Sequence, residues 1–95
     1  MAATPAVTEY LAECLWPGVT EEDLARLDLR ARTETDTTGP EAGVRYLGSV
    51  LLPSDEVVFF VFSGPSAEAV QAVAASAGIP FERIVASVRV SEMNG

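Results

Sequence analysis

An α+β sandwich of the order βαββαβ is the fold that this chain of 95 residues predicts, and three observations predict it. Four segments show the two-residue alternation or the continuous apolar character of strands, and the run VVFFVF at residues 57–62 is the extreme case. Two other segments carry a helix start signal followed by an apolar stripe at helical spacing. No linker separates these elements. Residues 1–95 are therefore expected to form one domain with its core over residues 7–90.

The first strand is VTEYLAECLW, residues 7–16, with Tyr10, Ala12, Cys14 and Trp16 on one face and Val7, Glu9, Leu11, Glu13 and Leu15 on the other. Pro17-Gly18 stops it. Thr20 then precedes Glu21, Glu22 and Asp23, an N-cap followed by acids that suit the positive end of a helix. In that helix Leu24, Leu27 and Ala31 draw the apolar stripe, and Glu22 with Arg26 and Asp28 with Arg32 are spaced to pair along a solvated face. The segment TETDTTGPEAG, residues 33–43, is acidic, threonine-rich and broken by Gly39-Pro40. It reads as the helix end plus a loop.

The second strand, residues 44–52, alternates with Val44, Tyr46, Gly48, Val50 and Leu52 on one face and Arg45, Leu47, Ser49 and Leu51 on the other. Pro53, Ser54 and Asp55 make its turn. VVFFVF is the third strand, and its unbroken apolar character marks a central position buried on both sides. Pro65-Ser66 starts the second helix, whose stripe is Val70, Val73, Ala74 and Ala77 and whose end is signalled by Gly78 and Pro80. The last strand is RIVASVRV, residues 83–90, followed by a frayed tail.

That order is the ferredoxin-like arrangement, in which right-handed crossovers place both helices on one face of a four-stranded antiparallel sheet. The helices cover only one side of VVFFVF. A second copy on the helix-free face would cover the other, so a homodimer of the dimeric α/β-barrel type is expected.

Composition removes whole classes of chemistry. All six cations are arginine, and the absence of lysine and histidine excludes Schiff-base chemistry, His-assisted nucleophiles and imidazole metal sites. A net charge of −8 repels phosphate backbones and anionic lipid, so neither nucleic acid nor a membrane is expected as a partner. No apolar run approaches the roughly 20 residues of a membrane span, and the first ten residues lack the features of a secretory signal, which points to a soluble, cytoplasmic protein. The single cysteine, Cys14, reads as a small buried hydrophobe rather than a reactive thiol.

No Ser-His-Asp set, CxxC, GxGxxG or DxDxDG occurs, so no catalytic residue, metal ligand or cofactor is assigned. The candidate ligand-binding residues are Tyr10, Glu13, Tyr46, Phe60, Phe62 and Arg89. The two phenols can donate to a ligand oxygen, and the two phenylalanines can line an apolar cavity, although residues of these types more often build strand edges and cores. Glu13 and Arg89, on neighbouring strands of a face otherwise lined by leucines, are expected to pair, with Arg45 and Ser49 sharing that face. An ion pair there serves a ligand, a subunit seam or a rim, and structural pairs are the commoner case. These features describe a small homodimeric binding or accessory protein holding an apolar small molecule between sheet and helices. The rival is a cofactor-independent monooxygenase, cyclase or isomerase of the same dimeric class, an analogy resting on fold alone.

The opening Tyr10-Leu11-Ala12-Glu13 with Trp16-Pro17-Gly18, the helix start at Pro65 with Glu68, and the closing Gly78-Ile79-Pro80 resemble a small bacterial family of ferredoxin-like proteins that includes an actinobacterial nickel-binding protein. The resemblance covers residues 9–90. It implies the fold and the dimer, and the departures from it bear on metal. Where relatives place Cys-apolar-Tyr-Glu this chain has Phe60, Val61, Phe62 and Ser63, and where they place a helix-two histidine it has Val73. These exchanges imply that the relatives' metal site has been lost here.

Overall fold

In the computed structural model, which describes residues 8–88, the chain runs β1 (Thr8–Leu15), α1 (Glu21–Ala42), β2 (Arg45–Leu52), β3 (Val57–Ser63), α2 (Ala67–Ser76) and β4 (Arg83–Val88). The four strands form one antiparallel sheet in the order β2-β3-β1-β4, the ferredoxin-like arrangement expected from the sequence. Register sets the two faces. Tyr10 lies opposite Phe62, Ala12 opposite Phe60 and Cys14 opposite Val58, and these pairs face the helices. Val58, Phe60 and Phe62 are fully buried there against Ala31 of α1 and Val70, Val73 and Ala74 of α2. Burying a side chain of this size contributes about 1.5–3 kcal/mol.

The other face carries no helix. Leu11, Val57, Phe59 and Val61 are half-buried on it, and Leu15, Val50 and Leu52 are exposed. VVFFVF is thus covered on one side only within a single chain, because both helices pack on the other.

Helix α1 differs from the expected helix-plus-loop. It continues through residues 33–42 and includes Pro40. The threonines that suggested a loop bond back along the helix: the hydroxyls of Thr35, Thr37 and Thr38 donate to the carbonyls of Ala31, Thr33 and Glu34. Bonded this way, they no longer compete for the backbone in a non-helical form. Pro40 sits in the last turn, so its missing N–H costs one bond close to the end. The helix closes when the Gly43 N–H reaches the Pro40 carbonyl at 3.4 Å and the Val44 N–H reaches the Gly39 carbonyl at 2.9 Å. At its start Thr20 and Asp23 exchange bonds as a capping box. The Thr20 hydroxyl and backbone bonds hold the Asp23 carboxyl below its ordinary range.

Strand β2 also departs from simple alternation. Tyr46 lies opposite Phe62 but Gly48 lies opposite Val61, so Leu47 is an extra residue in a bulge. Gly48 takes φ 134°, a conformation that side-chain-bearing residues rarely adopt. Beyond the bulge the faces exchange: Ser49 and Leu51 join Val44 and Tyr46 toward the helices, and Val50 and Leu52 face outward. Ser49 therefore does not share the outer face with Glu13, as regular alternation had implied.

Candidate functional site

The bulge places Tyr46 and Ser49 on the same side of β2, where α1 crosses it. Asp28 of α1 meets both. The Tyr46 hydroxyl donates to Asp28 Oδ1, and the Ser49 hydroxyl donates to Asp28 Oδ2 at 3.0 Å. One turn further along α1, the Arg32 guanidinium carbon lies 5.4 Å from the centre of the Tyr46 ring. Phe62 supports that ring from the core, with centroids 5.1 Å apart and planes tilted by 53°.

Helical spacing predicts a pair between Asp28 and Arg32, and that pair does not form. Both Asp28 oxygens are occupied by hydroxyls from the sheet, and Arg32 stacks over the ring instead. The other expected pair does form, with Arg26 3.5 Å from Glu22 and 3.6 Å from Asp23. Burial raises the Tyr46 phenol above its ordinary value, and the hydrogen bond to Asp28 and the Asp28 charge raise it further. At neutral pH Tyr46 is thus a protonated donor committed to Asp28. It can orient or support a ligand, but it cannot serve as a base.

An open groove of about 620 Å³ lies beside this cluster, walled by Arg32, Thr35, Asp36, Pro40, Arg45 and Tyr46. Its size is that of a small-molecule site. The groove exists because α1 runs on to residue 42 and packs its last turn against the start of β2.

The residues singled out from sequence are distributed over both faces. Tyr10, Tyr46, Phe60 and Phe62 lie on the helix side, with Phe60 and Phe62 fully buried and only Tyr46 reaching the groove. Glu13 lies on the outer face, and its ion-pair partner is Arg83, opposite it on β4. The partner expected from sequence, Arg89, lies outside the described residues. The Arg83 side chain is 69% exposed, so this is a rim pair worth no more than about 1 kcal/mol. The sequence pattern does not mark Asp28, Arg32 or Ser49 as site residues. Their meeting depends on the bulge, for which the only local signal is a glycine inside a strand pattern.

Cys14 faces the core with no exposed surface, and burial, aided by the charges of Glu82 and Glu13, pushes its thiol from 9.0 up to about 12. Both Cys14 and Tyr46 keep protons in the native state that the unfolded chain releases. The thiol's contribution is complete below about pH 9 and is lost as pH rises toward 12, and that of the phenol is complete below about pH 10 and is lost only at still higher pH. Urea midpoints are expected to fall from about pH 9 upward, as the unfolding free energy drops by up to roughly 1.4 kcal/mol per pH unit for the thiol. A Cys14→Ala chain should delay the onset to about pH 10, where unfolded tyrosine ionises. An unchanged onset would show that the thiol does not contribute.

Soft-metal chemistry is poorly served by these groups. Histidine is absent from the chain, the one thiol is buried and protonated, and among the described residues no three His, Cys, Asp or Glu side chains come together. Among the described residues the donor set does not fit nickel.

Comparison with known proteins gives a family and a fold. The family model described as "Nickel responsive protein SCO4226-like" matches residues 10–86. Among solved structures, the crystal structure of SCO4226 from Streptomyces coelicolor A3(2) superposes with a TM-score of 0.64 at 23% identity, over 88% of this chain and 99% of that one. None of the curated proteins gives a significant match. Among the described residues no helix is long and apolar enough to cross a membrane.

Proposed function

The chain belongs to the nickel responsive SCO4226-like family, and from that premise we propose that it is a small homodimeric binding or accessory protein. Its two copies join through the helix-free sheet face, and its role in such a response does not require nickel held by its own side chains.

The observation that carries this reading is the outer face itself. Leu15 is 60% exposed, Val50 49% and Leu52 37%, and they continue into Leu11, Phe59 and Val61 without a helix to cover them. Contiguous apolar surface of this kind marks an association site. A second copy is the occupant that suits it: the same patch recurs on both partners, as a two-fold interface requires, and a largely apolar seam, whose Glu13 is already paired with Arg83, lets two chains of charge −8 meet. The apolar ligand expected between sheet and helices is not part of this reading, because Val58, Phe60 and Phe62 fill that space.

Light scattering at micromolar concentration should give a species of twice 10.0 kDa, with or without added Ni²⁺. Val50→Asp changes a residue already exposed in the single chain, so it should preserve the circular dichroism spectrum and shift the mass to 10.0 kDa. A native chain that scatters as 10.0 kDa, or dimerises only with Ni²⁺, would overturn the reading.

A further inference from the structure

We infer that the groove between the last turns of α1 and the start of β2 is a binding site for a small organic monocarboxylate with an apolar body. The inference is independent of the dimer, since it concerns the helix side of the sheet.

Its first support is an arginine without its expected partner. Asp28, four residues before Arg32, gives both oxygens to Tyr46 and Ser49, and among the described residues no carboxylate lies within ion-pair distance of Arg32. Stacking over the Tyr46 ring engages the charge of the guanidinium but none of its five N–H donors. Those donors match the forked geometry of a carboxylate.

The second support is the place of that arginine in the groove wall: Arg45 also lines the groove from β2, but its register opposite Ser63 turns its side chain toward the helix-free face, so Arg32 is the cation presented on the helix side. By contrast, Arg26 and Arg83 each pair with acids.

The remaining wall sets the ligand class. Pro40 offers apolar contact to a ring or short hydrocarbon body, to which Val44 and Tyr46, both buried, add little surface. Asp36 also lines the groove, and its charge opposes a dianion or a phosphate more than a single carboxylate. The volume of about 620 Å³ accepts a molecule of that kind.

Titration of the ¹⁵N-labelled chain with benzoate, read by amide chemical shifts, tests this. Shifts at Gly39, Gly43, Val44 and Arg45 should saturate with a dissociation constant of about 1 mM or less. Arg32→Gln should weaken binding by about tenfold or more, and Arg26→Gln should leave it unchanged. Inorganic phosphate, as the second probe, should bind about tenfold more weakly than benzoate. Absence of saturation, equal affinity in Arg32→Gln, or phosphate binding as tight as benzoate would each overturn the assignment.

Discussion

Phe60→Ala is expected to remove about 3–5 kcal/mol of folding stability, the largest single effect of any substitution considered. Phe60 is fully buried in β3, which has a strand on each side. Its neighbours in register are Ala12 on β1 and Ser49 on β2, two small residues that leave room for the ring. Neither can fill the space once the ring is gone, so the cavity persists and its cost adds to the lost burial. A domain of this size is stable by roughly 5–15 kcal/mol, so the variant would retain a narrow margin. Urea unfolding should show a lower midpoint with an unchanged slope. Phe59→Ala, on the outer face, should cost clearly less in a monomeric background. Equal losses at the two positions would contradict the packing described for β3.

Gly39→Ala should also destabilise, by roughly 1–3 kcal/mol, although helix propensity alone favours alanine by about 1 kcal/mol. Close approach decides the sign. A Cβ at residue 39 would stand 2.5 Å from the Val44 carbonyl oxygen and 2.8 Å from the Thr35 methyl carbon. The carbonyl belongs to the backbone that closes the helix, and Thr35 is buried, so neither neighbour yields cheaply. The same contact shapes the groove, and a displaced last turn would weaken benzoate binding together with stability. Thermal or urea unfolding that showed Gly39→Ala to be the more stable chain would mean that α1 and β2 are not held this closely.

Much of the fold could be read from residue order, and the failures have physical causes. VVFFVF, the stripe of α2 and the Thr20 cap are strong local signals, and each lies where its pattern puts it. Residues 33–43 misled because threonine, glycine and proline are loop formers on average. Here the hydroxyls bond to the helix's own carbonyls, and the one proline falls in the final turn. The polar cluster was harder to read. Tyr46 stands out for its chemistry, but helical spacing makes Asp28 a partner for Arg32. Only tertiary contact shows that the sheet outcompetes the helix for its oxygens. The ferredoxin-like fold thus follows from periodicity, whereas the joining of Ser49 to Tyr46 at Asp28 follows from a single irregularity in β2.

That irregularity also governs how the strand tolerates changes in length. Leu47 and Gly48 together face the single residue Val61, so β2 holds one residue more than its pairing needs. A chain lacking Leu47 could close up into a regular ladder with Tyr46, Ser49 and Leu51 still toward the helices and Val50 and Leu52 still outward. Loss of one residue between Ser49 and Leu52 would instead reverse everything on one side of the gap. Position 47 is therefore the point in this strand where a one-residue difference in length can be absorbed without moving any other side chain to the opposite face.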